Sequence, residues 1–565
     1  MEAKKIVVIG GSAAGAKAAA KARRLDQKAE ITIIQRDPDL SMASCGYPYY
    51  VGGVFDNRNA LLATPTGVVR GPEFFQKTKD IKALPETEAV KIDRESKCVH
   101  CVGVKSGESF VVEYDKLVYC AGANAKVPPV EGRDLSGVTT LVSMQDTDFL
   151  HEVVADKKAS HVVVIGGGLI GVEVCEALVN SSIGVTLVEM SPDILTFLDP
   201  QMSKLAANHM KSKGVNILTE MALECFVGQS GKLTGVMLRD GSVIDCEVAV
   251  VATGVMPNIK LAAEAGLEIG ELGGVVVDEF MTTSDPDIYA AGDCIEVKNM
   301  ITGQQSLAPM GDLANLQGRV AGENLVLGNT ISFPGTIHTA ICKIFDFAAG
   351  ATGVSQETAI KGGLDGVETV VNASPDKPGF MGAKLLISKI VIDVKSNKII
   401  GYQCVGNGDV SRQLATAAMA IQGGMTLDQL CCADLPYAPP YSLAIDHFIA
   451  SAHIVQNKIK GRLKTISAEE VMDQVSRDEN VFYLDGRGPD EFEVLRLGIG
   501  EHYMPLGALK GRLDELPQEK DSAIVCFCKI SLRGYEAAIV LEGLGYTNVR
   551  VMEGGIMAWP YKREK

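Results

Sequence analysis

Three things are scarce in this 565-residue sequence, and each scarcity excludes a class of protein. Basic charge is the first: 54 Lys and Arg against 70 Asp and Glu leave a net charge of −16. The bulk surface therefore repels nucleic acid and acidic membranes, both of which need a basic footprint. Long apolar runs are the second. No stretch reaches bilayer length without a polar interruption, which excludes a membrane-spanning helix. The opening run Ile6-Val7-Val8-Ile9 is too short for a signal-peptide core and leads straight into a glycine loop, so a cytoplasmic protein is expected. Cysteine is the third. Fourteen thiols scattered over this length cannot form a dense disulfide framework. In a reducing compartment most are buried and inert, and only a few react.

What is present points to packed α/β domains. Hydrophobic content is 46%, and the 59 glycines have no fixed period, as tight turns and βα loops require. The length exceeds one hydrophobic core and suggests roughly three to five units. An apolar strand at 5–9, a glycine loop, an Ala-rich helical run at 14–25 and a strand at 31–34 make a βαβ unit. The pattern recurs at 161–165, 169–179 and 185–188. From about 331 to 450 the strands read as antiparallel or mixed, an α+β unit. The Lys-rich stretch after His453 reads as a linker, and about a hundred residues remain for one more small domain.

The two glycine loops carry nucleotide chemistry. Gly10-Gly11-Ser12-Ala13-Ala14-Gly15 places small residues where a pyrophosphate meets a helix N-terminus, with Ser12 at the second glycine position. Gln35, followed by Arg36, stands at the ribose-reading end of the second strand. The loop Gly166-Gly167-Gly168-Leu169-Ile170-Gly171 matches fully, with Glu189 after its second strand. A carboxylate there accepts from a 2′-hydroxyl and repels a 2′-phosphate, so NADH is expected over NADPH.

With these loops, Gly122, Ala252-Thr253-Gly254-Val255-Met256-Pro257-Asn258 and Thr283-Ser284-Asp285-Pro286-Asp287-Ile288-Tyr289-Ala290-Ala291-Gly292-Asp293, the chain resembles the pyridine nucleotide-disulfide oxidoreductases over about residues 1–450. The resemblance implies FAD in the first nucleotide site, with Asp293 on the flavin ribitol and Ala314 at a helix start facing the flavin pyrimidine. It implies an α/β protein with an FAD-binding domain at 1–147 and 256–328, an NAD-binding domain at 148–255, an α+β dimerisation domain at 329–450 and a linker at 451–460. A homodimer follows from the same resemblance.

The segment Ser41-Met42-Ala43-Ser44-Cys45-Gly46-Tyr47 contains one cysteine where glutathione-reductase-like members have two. A single thiol cannot close an internal disulfide, so it cycles with an external sulfur or a sulfenic acid. Its thiolate would be the nucleophile, with a pKa lowered by a helix N-terminus or the flavin. This pattern is similar to the subgroup of NADH peroxidase, NADH oxidase and coenzyme A-disulfide reductase. Lys17, Lys21 and Arg24 form one basic helix face on an acidic protein. In the coenzyme A-disulfide reductases this helix holds the coenzyme's phosphates, which implies coenzyme A contacts for Lys21, Arg24, Ser41 and Ser44. Tyr437, in Leu435-Pro436-Tyr437-Ala438-Pro439-Pro440-Tyr441, matches the catalytic tyrosine contributed across the dimer, where a phenol can lend a proton; a packing tyrosine in a proline-rich turn is the other reading. Phe380 stands where the family has a second tyrosine, which leaves room for a smaller leaving group.

Residues 461–565 resemble a rhodanese, through Asp485-Gly486-Arg487, Asp490-Glu491-Phe492 and Met552-Glu553-Gly554-Gly555. Its active loop would be Cys528-Lys529-Ile530-Ser531-Leu532-Arg533, in which backbone N–H groups, Arg533 and a helix dipole stabilise a thiolate or persulfide. Strand alternation favours Cys528 over Cys526 as the nucleophile. Cys98-Val99-His100-Cys101 and Cys431-Cys432 are read as structural, with no metal site, and His447 as a helix-surface histidine. The combined expectation is an NADH-dependent flavoenzyme reducing persulfide, polysulfide or coenzyme A disulfide through Cys45, with Cys528 carrying sulfane sulfur. An NADH peroxidase or oxidase using a sulfenic acid, and a sulfurtransferase with a regulatory flavin domain, are the alternatives.

Overall fold

A computed structural model describes residues 3–564. The chain forms two compact units, one from residues 1–192 and 214–336, the other from 193–213 and 337–565.

In the first unit the apolar strand Lys5–Ile9 is central to a parallel sheet, flanked by Glu30–Ile34 and Lys116–Tyr119, with Lys82–Leu84 and Ile288–Ala290 at the edges. Its side chains are buried on both faces, as a parallel sheet covered on both sides demands. The helix Ala13–Leu25 is almost all small residues on its inner face, and this lets the helix Gly311–Leu327 lie against its backbone. A Cβ on Gly318 would sit 2.2 Å from the Ala14 carbonyl oxygen, and one on Gly322 would sit 2.5 Å from that of Ala18. Close packing of these helices fixes where the second one begins, and that start is part of the candidate site. A second parallel sheet pairs His161–Ile165 with Gly184–Val188 and Val248–Val251. The Cys98 and Cys101 thiols belong to Cys98–Gly103, the middle strand of a three-stranded antiparallel sheet, and burial pushes the Cys101 thiol up to about 11.

The second unit has an antiparallel five-stranded sheet in the order Ala340–Ile344, Phe347–Gly353, Lys398–Gly406, Leu385–Asp393, Val367–Pro375. The helix Pro200–Ser212 belongs here rather than to the first unit, which surrounds it in sequence. The residue before it, Asp199, is buried and bonds Lys389 and Gln403 of that sheet. A further parallel sheet pairs Ile524–Phe527 with Phe482–Asp485 and Val549–Met552.

The expected linker is helical. His447–Ile459 is one helix, capped by the Asp446 carboxylate, which accepts from the Phe448 N–H. Its basic last turn is not solvated spacer: Lys458 pairs with Glu368 at 2.8 Å and with Glu553 at 3.1 Å. Glu553 is buried and also accepts from the Val371 N–H at 2.9 Å and the Thr465 hydroxyl at 2.7 Å. These bonds join the last domain to the antiparallel sheet. Gln201 and Asn208 add bonds to the Ala558 and Pro560 carbonyls.

Candidate active sites

Both glycine loops have the close approaches that make a substituted side chain impossible. Gly10 has φ +98°, and its Cβ would meet the Cys120 carbonyl oxygen at 2.0 Å; Gly166 has φ +110°, with the Ala252 oxygen at 2.3 Å. The helix behind each loop is held in by Gly15 and Gly171, whose Cβ atoms would meet the Gly10 and Gly166 oxygens. A Cβ on Gly168, by contrast, would point into open space, where a pyrophosphate needs the backbone bare. Gln35 accepts from the Gly11 N–H at 2.7 Å, and Glu189 accepts from the Gly167 N–H at 2.7 Å. The side chains expected to read the riboses thus hold their loops in the same way, glutamine in the first and glutamate in the second.

A cavity of about 580 Å³ opens at the first loop, lined by Gly10, Ser12, Gln35, Arg36, Gly122 and Asp293 among others. Asp293 is pushed up to about 6 by burial alone. Its carboxylate accepts no hydrogen bond among the described residues. A polyol hydroxyl would satisfy it, so the residues present fit FAD: Asp293 would hold the polyol and the Gly10 to Gly15 loop would hold the pyrophosphate. Ala14 is buried at that helix start, and Ala314 is buried in the first turn of Gly311–Leu327, whose cap residue Met310 makes no side-chain bond.

Cys45 lies in the 3₁₀ turn Ser44–Gly46, which borders this cavity through Met42, Ser44 and Tyr47. The turn is tied to the glycine loop, since Ser41 N–H donates to the Gly11 carbonyl at 2.7 Å. The thiol is exposed and faces the start of the Gly311–Leu327 helix: a Cβ on Gly311 would lie 3.6 Å from Sγ. Yet burial of the sulfur, then the carboxylates of Glu173, Asp293 and Asp312, raise the thiol above its usual range. The lowered pKa expected from the sequence is not what the protein's own groups produce, because burial of the sulfur and three nearby carboxylates, Asp312 in the first helical turn among them, disfavour the thiolate. Glu173 accepts from the Tyr49 hydroxyl at 3.2 Å and is held up at about 7, by burial first. Nothing in its local sequence marks it.

Of the predicted basic face, Lys17 and Arg24 are exposed, but Lys21 is paired with Glu323 at 2.8 Å between the two packed helices. A third cation joins the face instead. Burial, then the charges of Arg24 and Lys17, push the Lys79 ammonium below the usual lysine range, and it lies 5.6 Å from the Phe74 ring centroid. Local spacing in the sequence does not reveal Lys79, which arrives at the end of another helix, Pro72–Lys79. Ser44 borders the nucleotide cavity, and Ser41 has a left-handed backbone, φ 52°.

In the second unit Tyr437, Tyr441 and Phe380 are exposed, at 54%, 73% and 79%. His447 is not on a helix surface. It is buried, bonded to Ser374 Oγ through Nδ1 and to Ser388 Oγ through Nε2, and burial pushes it down to about 4. It fastens its helix to two strands of the sheet. In the last domain, Cys526 is inside the strand Ile524–Phe527 and Cys528 follows it at the loop. Burial raises the Cys526 thiol far out of the reactive range. Ser531 has φ 68°, and the N–H groups of Lys529, Ile530 and Ser531 donate to no acceptor among the described residues. This is a ready cradle for an anion on sulfur. Arg533, on the following helix Leu532–Gly543, touches Cys528 and is bound through both terminal nitrogens to Glu491, at 2.7 and 2.9 Å.

A family model described as pyridine nucleotide-disulphide oxidoreductase matches residues 4–310, more than half of the chain. The chain belongs to that family. Models of this oxidoreductase family's dimerisation domain and of the rhodanese-like domain match residues 339–448 and 467–561. The solved structure described as a NAD-dependent persulfide reductase from A. fulgidus is 41% identical, with TM-score 0.93, over 98% of this chain and 100% of that one. The reduced Bacillus anthracis CoADR-RHD is 33% identical, with TM-score 0.90, over 99% and 98%. A protein named NADH oxidase from Methanocaldococcus jannaschii is 31% identical over 81% of this chain and 99% of its own length. The oxidoreductase-plus-rhodanese arrangement is thus common to this chain and the first two, whereas the third aligns with only part of this chain.

Proposed function

We propose that the protein is an NADH-dependent FAD enzyme that reduces persulfide or polysulfide sulfur, including coenzyme A persulfide and coenzyme A disulfide, through Cys45. Sulfane sulfur would reach it by way of Cys528. The observation that carries this reading is the exposed, lone thiol of Cys45 beside the cavity at the first glycine loop, on a chain that also holds the Cys528 to Arg533 cradle.

FAD, when bound, would supply two electrons taken from NADH to keep Cys45 reduced. The Cys45 thiolate attacks the inner sulfur of R–S–SH; a Cys45–S–S–R bond forms, the S–S bond breaks, and HS⁻ leaves with the electron pair. Glu189 and Gly168 would hold NADH, and Asp293 with Gln35 the FAD. Lys17, Arg24 and Lys79 give the coenzyme A phosphates a basic seat, with Arg24, Ser41 and Ser44 as the expected contacts and Lys21 bracing the helix through Glu323. Tyr437 would lend a proton to the departing thiolate across a homodimer working in the reducing cytoplasm.

The test is anaerobic NADH oxidation against coenzyme A persulfide, polysulfide, coenzyme A disulfide and peroxide, with Cys45→Ser and Cys528→Ser variants. Turnover of the sulfur substrates that requires Cys45 supports the reading. Peroxide turnover equal to sulfur turnover, unaffected by Cys528→Ser, would replace it with a peroxidase.

A further inference from the structure

Two cations stand in the Cys528 to Arg533 segment, Lys529 in the loop and Arg533 on the helix that follows, and among the described residues only Lys529 has no carboxylate partner. Lys529 is exposed. Arg533 is held on both sides of its guanidinium fork by the Glu491 carboxylate, the bidentate geometry that neutralises the charge most completely. Glu491 is itself fixed: its carboxylate also accepts from the Gly488 N–H at 3.2 Å, in the first turn of the helix Pro489–Val494. It stays ionised, because the Arg533 bonds hold it down at about 2. The other nearby guanidinium, Arg487, is buried and fully committed to Asp485 and to the Glu491 and Leu495 carbonyls. The helix Pro489–Val494 adds Asp490 and Glu493 to the acidic side. On the same two elements that carry Glu491 and Arg533, Val494 and Leu532 are exposed.

A small dianionic sulfur donor such as thiosulfate needs more uncompensated positive charge at the sulfur-accepting thiol than the single, exposed Lys529 ammonium supplies. A persulfide on a thiol arm does not. We propose that Glu491 is a specificity-determining residue that withholds Arg533 from dianionic donors and leaves Cys528 to take sulfane sulfur from a thiol persulfide. In the favoured transfer the Cys528 thiolate attacks the outer sulfur of R–S–SH, the S–S bond breaks, and R–S⁻ leaves with the electron pair; Cys528 ends as a persulfide. No oxidant is required. The inference rests on the reading of Cys528 as a sulfur carrier.

The experiment uses the full-length holoenzyme without NADH and follows the gain of one sulfur atom on Cys528 by mass, against thiosulfate and against coenzyme A persulfide. Wild type should load from the persulfide at least about tenfold faster at equal concentration. Glu491→Gln should lower the half-saturating thiosulfate concentration by about tenfold with the maximal rate unchanged, while Glu491→Asp keeps the wild-type preference. If wild type loads equally from both donors, the inference is overturned while the carrier reading stands. The same holds if Glu491→Gln folds but its thiosulfate concentration dependence does not move. If neither donor loads Cys528, the carrier reading fails and this inference with it. Should Glu491→Gln not fold, the wild-type donor ratio decides alone.

Discussion

Replacing Glu173 by Gln should change how stability depends on pH, by an amount that follows from its burial. The folded carboxyl is raised from 4.5 to about 7, chiefly because burial disfavours the anion, and the Tyr49 hydroxyl offsets only part of this. Between these two values the folded state keeps a proton that the unfolded chain has already lost. Raising the pH through this window therefore favours unfolding, and the loss levels off above the folded value. At 1.36 kcal/mol per pK unit the full span is on the order of 3 kcal/mol. Glu173→Gln carries no titrating group, so its stability minus that of wild type should rise by about 3 kcal/mol from pH 4.5 to pH 8. Asp293 titrates in an overlapping range but is common to both proteins and cancels in the difference. The assay is urea unfolding of the flavin-saturated protein, followed by flavin release, at several pH values. A difference that stays constant across the window would refute the assignment of a raised Glu173. The same substitution should lower the pH at which Cys45 is alkylated in the reduced enzyme, since Glu173 is the foremost of the carboxylates that raise it.

Three other outcomes are expected. Glu553→Ala strips an acceptor from the buried Val371 N–H and a partner from Lys458, and should lower the unfolding free energy of the second unit by about 3 kcal/mol, Glu553→Gln by about half as much; equal effects in chemical denaturation would contradict the bonding described. Gly168→Ala points its methyl into open space, so thermal stability should shift by no more than about 1 kcal/mol while the NADH KM rises at least about tenfold; an unchanged KM would remove the pyrophosphate from that loop. Lys79→Glu should raise the KM for coenzyme A persulfide, more so at low salt, and leave that for inorganic polysulfide within about twofold; parallel rises would show that the basic seat does not read the coenzyme.

Much of the architecture was legible because it is written locally. Strand, glycine loop and helix occur within thirty residues, and the residues that close the loops, Gln35 and Glu189, stand at a fixed place after the next strand. The turn that carries Cys45 and the strand end that carries Cys528 are local features of the same kind. What was not legible depends on partners distant in the chain. Lys21 looked like part of an exposed basic face because Glu323 comes from the helix Gly311–Leu327, far along the chain. Lys79 joins that face from a third helix. The polar run from Gln456 to Arg462 read as a linker because the counterions of its Lys458, Glu368 and Glu553, lie at the ends of separate strands. His447 read as a surface residue until Ser374 and Ser388 supplied bonds for both ring nitrogens. Polar residues look solvated in a sequence whenever the groups that satisfy them are brought in by tertiary packing.

The central claim is that Cys45 forms a covalent disulfide with an external sulfur substrate. It is tested most directly by mixing enzyme whose Cys45 has been reduced by one equivalent of NADH, freed of excess NADH, with coenzyme A persulfide, quenching with acid and reading the mass of the Cys45 peptide. The account predicts coenzyme A attached to Cys45 with one sulfide released per site, and loss of the adduct when NADH is added back. Sulfide release with Cys45 unmodified, or carrying only a sulfenic acid, would contradict it.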